Sequence, residues 1–306
     1  MTFLGPQFRT QTLRIALAQL GIRGTLVSIT AGWQEREGEI DELRSHVGSN
    51  VTDLALYART EEVFAADGEL RTRHRQRQSR LREMQELYRL RLEHAKDAAR
   101  ELLARDGDPA LLRPARRAAL SALRQVDRQH LLAVEREHAQ FRRHLRPQQR
   151  ASIVPHIDAI RREIQRAAAV LIAGGHVAVL LNRLRLFDLK RLASGKPVLA
   201  WSAGAMAACD SIVLFHDHAA EGARDAEVFD VGLGMLPGVI ALPHAQGRLA
   251  LHDATRVSLL ARRFAPAHCM TLDDGTSLHW KSGVLKHSAN AWKLTRSGAL
   301  DEVRPE

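Results

Sequence analysis

Ser202 has the surroundings in this sequence best suited to chemistry. It follows Val198-Leu199-Ala200-Trp201, an apolar run that reads as a short buried strand. It precedes Ala203-Gly204-Ala205-Met206, which is compatible with a helix start. Small residues, Ala200 and Gly204, stand two before and two after it. A sharp strand-turn-helix needs them, because the strained turn lifts the serine hydroxyl above the sheet edge and leaves no room for larger flanks. A helix beginning there aims its first N–H groups beside the hydroxyl, which suits a developing oxyanion. The same residues also describe a plain strand-to-helix turn with a capping serine. Taken alone, the pattern leaves both readings open.

Two other stretches could serve such a hydroxyl. Ala173-Gly174-Gly175-His176 follows the strand-like Val170-Leu171-Ile172, and glycines between strand and helix let backbone N–H groups come close to a ligand. Pro243-His244 ends the apolar stretch Gly232 to Leu242, placing a histidine directly after a strand. Between them a polar loop, His216 to Asp230, carries Asp217, Glu221, Asp225, Glu227 and Asp230. His216 and His218 flank Asp217 without a third ligand at fixed spacing, so no metal site is assigned. Nor do His74, His94, His130, His138 and His144 show ligand spacing.

The elements that must position these residues come in two kinds. Before Thr60, a helix over Thr10 to Leu20, a strand over Thr25 to Thr30, a helix over Glu37 to Val47 and a strand over Val51 to Tyr57 imply a parallel sheet. Ligands in such sheets sit beyond the carboxyl ends of strands, which makes the Ala31-to-Arg36 loop, with Trp33 and Gln34, a candidate pocket wall. The pattern returns after Ala167 and closes with strands near residues 268–272, 277–280, 284–287 and 291–294. From Glu61 to Arg166 strand signals vanish. Leu81, Met84, Tyr88, Leu92, Ala95, Ala99 and Leu102 recur at helical steps, Asp106-Gly107-Asp108-Pro109 breaks the run, and a second and a third helix follow. Long helices joined by short turns pack antiparallel. Such a block is either a solvated appendage packed on itself or a dimerisation arm.

The chain of 306 residues carries 45 Lys and Arg against 35 Asp and Glu, a net charge of +10. The excess is mostly arginine interleaved with acids along helices, few aromatics accompany it, and a nucleic-acid partner is not expected. No run reaches the ~18 apolar residues a membrane span needs, no signal segment is read at the amino terminus, and the two cysteines make no framework. A cytoplasmic location is the expectation.

In this order the parts resemble a known family. A Gly-Gly turn after a buried strand, Trp-Ser-Ala-Gly-Ala, an acid about fifteen residues on, and Pro-His after a strand are similar to the serine peptidase family of peptidase E and cyanophycinase. Leu272-Asp273-Asp274-Gly275 is similar to that family's Leu-Pro-Glu-Gly segment, and Ala31-Gly32 ends a matching first strand. The resemblance covers residues 10–60 and 165–300. It implies an α/β fold of the class I glutamine amidotransferase-like type: a flavodoxin-like, mostly parallel sheet with helices on both faces, here with a long helical insertion. Residues 1–60 and 167–306 would form the hydrolytic domain and 61–166 the insertion.

Carried over residue by residue, the resemblance makes Ser202 the nucleophile, His244 the general base and Asp217 the third member of the triad. The backbone N–H groups of Gly175 and Ala203 become the oxyanion hole. Gly174, His176, Trp201, Trp33 and Gln34 are candidate substrate contacts. The expected enzyme hydrolyses a peptide or other amide through an acyl-Ser202 intermediate, without a cofactor, and could form a homo-oligomer through the insertion. The alternative is a non-catalytic relative that binds a protein or nucleic acid through the basic helices. A glutamine-amidotransferase role would call for cysteine at 202. Three features depart from the family: His176 replaces an asparagine, the helical block has no counterpart, and the basic contacts of an aspartyl-dipeptidase are not placed. Substrate specificity is therefore not carried over.

Overall fold

The computed structural model describes residues 1–48, 50–216 and 224–305. Strand β1 (Thr2–Leu4) leads to helix α1 (Leu13–Gln19), strand β2 (Leu26–Ile29), a 3-10 turn over Ala31–Arg36, helix α2 (Asp41–Val47) and strand β3 (Val51–Asp53). Four helices follow: α3 (Leu56–Ala66), α4 (Gly68–Ala104), α5 (Pro109–Leu145) and α6 (Val154–Arg166). The sheet resumes with β4 (Ala169–Ile172), α7 (Val177–Leu186), α8 (Leu189–Leu192), β5 (Val198–Trp201) and α9 (Ala203–Ala208). Strands β6 (Ser211–His216) and β7 (Arg224–Val231) come next, then β8 (Val239–Pro243), α10 (Ala245–Arg248) and α11 (Ala254–Phe264). The chain closes with β9 (His268–Leu272), β10 (Ser277–Lys281), β11 (Val284–Ala289), β12 (Trp292–Leu294) and β13 (Leu300–Glu302).

The main sheet has the order β11-β10-β1-β5-β4-β2-β3, parallel from β1 to β3 and antiparallel at β10 and β11. Its strands alternate between two cores, as their two-residue period dictates. Val170 and Ile172 of β4 join Ile157, Ile160, Leu180 and Leu184, while Ala169 and Leu171 join Leu13, Leu17, Leu43 and Val47. Helices therefore cover both faces, and the fold is the α/β, parallel-rich architecture that the sequence implies. The chain leaves β2 towards β3 and leaves β4 towards β5, so the strand order reverses between β2 and β4. That switch opens a crevice beyond their carboxyl ends.

Strand β8 does not extend this sheet. It pairs in parallel with β9 in a second sheet of order β13-β12-β9-β8. The β6–β7 hairpin forms a separate two-stranded sheet. Helices α4 and α5, 37 residues each, run antiparallel: Tyr88 meets Asp127 and Arg80 meets Glu137. They are not an appendage packed on itself. Tyr88, Leu92, Leu123 and Val126 share one core with Val213 and Val228 of the hairpin, Ile240 of β8 and Leu260 of α11.

Two sequence expectations change, and one strand was not expected. The second strand ends at Asp53, not Tyr57. Ala55 adopts a left-handed conformation (φ 49°), and the buried Glu37 carboxylate accepts the N–H groups of Tyr57 and Ala58 at 2.8 and 2.9 Å, which starts α3 at Leu56. The polar stretch before Asp230 is strand β7 from Arg224 onward. Finally, Thr2–Leu4 is a central strand too short to show any alternation.

Candidate active site

Three loops at the crevice are pressed together until only glycine fits. A Cβ on Gly32 would lie 2.4 Å from the Gly174 carbonyl oxygen, and one on Gly175 would lie 2.4 Å from that of Gly32. His176 N–H donates to the Gly32 carbonyl at 2.7 Å, which locks the two loops. Gly204 is fixed the same way: a Cβ there would stand 2.3 Å from the Ile172 carbonyl oxygen, so α9 can begin against β4 only with glycine at this position.

Ser202 sits at the apex, with φ 49° and ψ −122°. This positive φ is a strained conformation for a residue with a Cβ, held because β5 and the wholly buried α9 fix both sides of it. Strand β5, the positive-φ Ser202 and α9 thus make a sharp strand-turn-helix. As to the alternative, the Ser202 side chain makes no capping hydrogen bond to α9. Gly174 lies against it, close enough that a Cβ would be 2.8 Å from Ser202 Cβ and 3.7 Å from Ala203 N. Among the described residues, neither Gly175 N–H nor Ala203 N–H donates a hydrogen bond within the protein.

Ser202 and His244 open into one cavity of about 870 Å³. Its apolar lining includes Phe8, Trp33, Trp201 and Met206, and its charged lining includes Arg36, Arg89, Glu227 and Arg248. Gly174, Gly175 and Ala203 also line it. Gln34 and His176 are not among the lining residues; the His176 side chain instead accepts the Val179 N–H at 3.3 Å and caps α7. Gln34 carries the same unusual backbone conformation as Ser202, φ 60° and ψ −123°. Asp217 lies outside the described residues.

His244 follows β8 in a left-handed conformation (φ 57°) and is half-buried. Burial pushes its imidazole below the ordinary histidine range, the Arg248 guanidinium pushes the same way, and the Asp274 carboxylate pulls it back up. The imidazole is thus biased towards its neutral, proton-accepting form. Ser202 Oγ and the imidazole make no hydrogen bond to each other in this structure.

Asp274 is a carboxylate acting on His244 that the sequence reading did not single out. Parallel pairing of Pro243 with Leu272 sets His244 beside the Asp273-Asp274 turn. The Asp273 carboxylate is committed to α10, where its Oδ1 accepts the Gln246 N–H at 3.0 Å. The available signal was the Leu272-Asp273-Asp274-Gly275 segment itself, whose third residue stands where the similar family segment has glutamate. Cys209 and Cys269 are buried, unpaired and pushed up to about 12 by that burial. Among the described residues, no group of three His, Cys, Asp or Glu could hold a metal ion, and no helix is long and apolar enough to cross a membrane.

Among solved structures, the chain resembles a peptidase from an acI-B1 Actinobacterium at 13% identity and a TM-score of 0.48, over 99% of this chain and 93% of that one. It also resembles a protein of Listeria monocytogenes EGD-e assigned to peptidase E, at 14% identity and a TM-score of 0.31, over 45% of this chain and 66% of that one. No curated protein matches. The model of peptidase family S51 matches residues 122–287, more than half of the chain, and spans the Gly-Gly turn, the elbow and the Pro-His strand end. The chain belongs to peptidase family S51 and is a serine peptidase-type hydrolase.

Proposed function

We propose that the enzyme cleaves a peptide or related amide through an acyl-enzyme on Ser202. His244 removes the hydroxyl proton as Ser202 Oγ attacks the carbonyl carbon, then returns that proton to the leaving nitrogen. The N–H groups of Gly175 and Ala203 receive the oxyanion. Water, deprotonated by the same imidazole, then releases the acid and restores the serine. Hydroxyl and imidazole come into hydrogen-bond contact as substrate fills the cavity, a tightening common to such sites. We assign Asp274 the orienting carboxylate, because its field acts on the His244 imidazole. Asp217 is the competing assignment. Within this proposal residues 61–166 form an insertion in the hydrolytic domain, and the unpaired cysteines suit a reducing, cytoplasmic setting.

The observation that carries the reading is the strained Ser202 backbone at the mouth of a cavity shared with His244. Labelling with a fluorophosphonate probe tests it. Ser202→Ala and His244→Ala should abolish the label in folded protein, and wild-type protein that takes no label would refute the proposal. Asp274→Asn and Asp217→Asn, compared side by side, decide the acid: the larger loss of labelling rate marks the residue that orients the imidazole.

A further inference from the structure

The outer edge of β7 is held by side chains rather than by another strand. The Ala226 carbonyl accepts from Arg263 Nη1 at 2.6 Å, Val228 N–H donates to the Tyr88 hydroxyl at 3.0 Å, and the Val228 carbonyl accepts from Gln85 Nε2 at 3.1 Å. The Val231 carbonyl accepts from Arg185. Behind these contacts Arg263 donates to both Asp127 oxygens at 2.7 Å, and Tyr88 donates to Asp127 Oδ1 at 2.7 Å. Arg185 likewise donates to both Asp230 oxygens at 3.0 Å, with His138 Nε2 2.9 Å from Oδ1. Strand β7 is thereby fixed to α4, α5, α7 and α11.

One side chain of this system reaches the cavity from each partner. Arg89, next to Tyr88 on α4, forks onto Glu227 of β7 with its Nε and Nη2 at 2.6 and 2.8 Å from the two carboxylate oxygens. Both residues line the cavity that contains Ser202 and His244. Glu227 keeps only 13% of its side-chain surface exposed and Arg89 keeps 49%. A charge there is poorly screened, so its neutralisation by the partner matters to anything that enters.

We propose that α4, through Arg89, forms part of the substrate-pocket wall and that Arg89 and Glu227 are the specificity-determining pair there, selecting an uncharged substrate group. The inference rests on the Ser202 reading above. Breaking the pair leaves one charge facing the cavity. Arg89→Gln exposes a carboxylate that favours cationic groups, and Glu227→Gln frees a guanidinium that favours anionic ones.

Three phosphonate probes that differ only in a cationic, neutral or anionic tail test this on the full-length protein. The readout is the ratio of the cationic to the anionic labelling rate at Ser202. Measured within each protein, it does not depend on the fraction folded. Relative to wild type, the ratio should rise about tenfold in Arg89→Gln and fall about tenfold in Glu227→Gln, the size expected for one unbalanced charge at pocket distance. The exchange Arg89→Glu with Glu227→Arg should return it towards the wild-type value. One ratio common to all four proteins overturns the inference while leaving Ser202 as nucleophile. Wild-type protein that reacts with none of the probes removes the Ser202 reading and this inference together.

Discussion

His244 donates its backbone N–H to the Leu272 carbonyl at 3.1 Å, and that contact brings the imidazole-bearing residue level with the turn at Asp273 and Asp274. His244 and Asp274 thus follow the ends of two hydrogen-bonded parallel strands, β8 and β9, while Ser202 follows β5 of the main sheet. The electrostatics of His244 follow from this placement. Arg248, one helical turn on, lowers its proton affinity, and Asp274 raises it.

The pH profile should report that balance. A general base works only when neutral, and the lowered His244 value keeps it neutral at more acidic pH than a free histidine allows. The acid limb of kcat/KM should therefore lie below the ordinary histidine value of about 6.5. Arg248→Gln removes a lowering charge and should move the limb to higher pH. Asp274→Asn removes a raising charge and should move the limb lower, while cutting the plateau by about 100-fold. An acid limb that stays in place in both variants would show that another group controls it.

Gly174 leaves no space for a methyl group beside the nucleophile. In Gly174→Ala the new Cβ would meet Ser202 Cβ at 2.8 Å, so the serine must shift. A misplacement of that kind costs about 100-fold in kcat/KM, whereas the overpacking costs only about 1–3 kcal/mol of stability. Steady-state kinetics beside a urea melt separate the two effects, and full activity in a folded variant would contradict the close packing.

Asp127 is the buried counter-charge of Arg263, whose side chain is 2% exposed. Asp127→Ala removes the buried carboxylate to which Arg263 and the Tyr88 hydroxyl donate, at a cost of about 3–5 kcal/mol. Tyr88→Phe, which strips the acceptor from Val228 N–H, should cost about 1–3 kcal/mol. Chemical denaturation measures both. Values near zero would mean that the network contributes nothing to holding β7.

Asp67 ties the helical segment together by a different route. Its carboxylate accepts from Arg150 Nε and Nη2 at 2.5 and 2.9 Å, which lowers its value from 3.8 to about 2. A depressed carboxylate stabilises the fold above its unfolded value and loses that contribution as pH falls through the folded one. Stability should therefore drop between about pH 4 and 2, and Asp67→Asn should flatten that part of the curve in acid melts.

What could be read from the sequence was local. The elbow at Ser202 shows because Ala200 and Gly204 put small residues at a recognisable spacing within one short window, although the space Gly204 leaves is against the Ile172 carbonyl of β4. Gly174-Gly175 shows for the same reason, and the α4 and α5 stripes show because helical periodicity is a short-range property. Strand β7 was hidden because its acids look solvated. Glu227 and Asp230 are in fact paired with Arg89 and Arg185, residues 138 and 45 positions away, and no window along the chain contains both partners. Asp274 was hidden because its bearing on His244 depends on the β8–β9 register. The break at Leu56 depends on Glu37, which caps α3 from another loop.

The way β7 is secured also bears on how this protein would fail. A strand at a sheet margin ordinarily offers its N–H and C=O groups to any neighbouring molecule, an open invitation to polymerise. At Ala226, Val228 and Val231 those groups are already taken by Arg263, Gln85, Tyr88 and Arg185. Trimming α4 and α5 to make a smaller enzyme would uncover that margin at Val228 and strip Arg263 of the Asp127 carboxylate, and the shortened protein should be lost to insoluble aggregates.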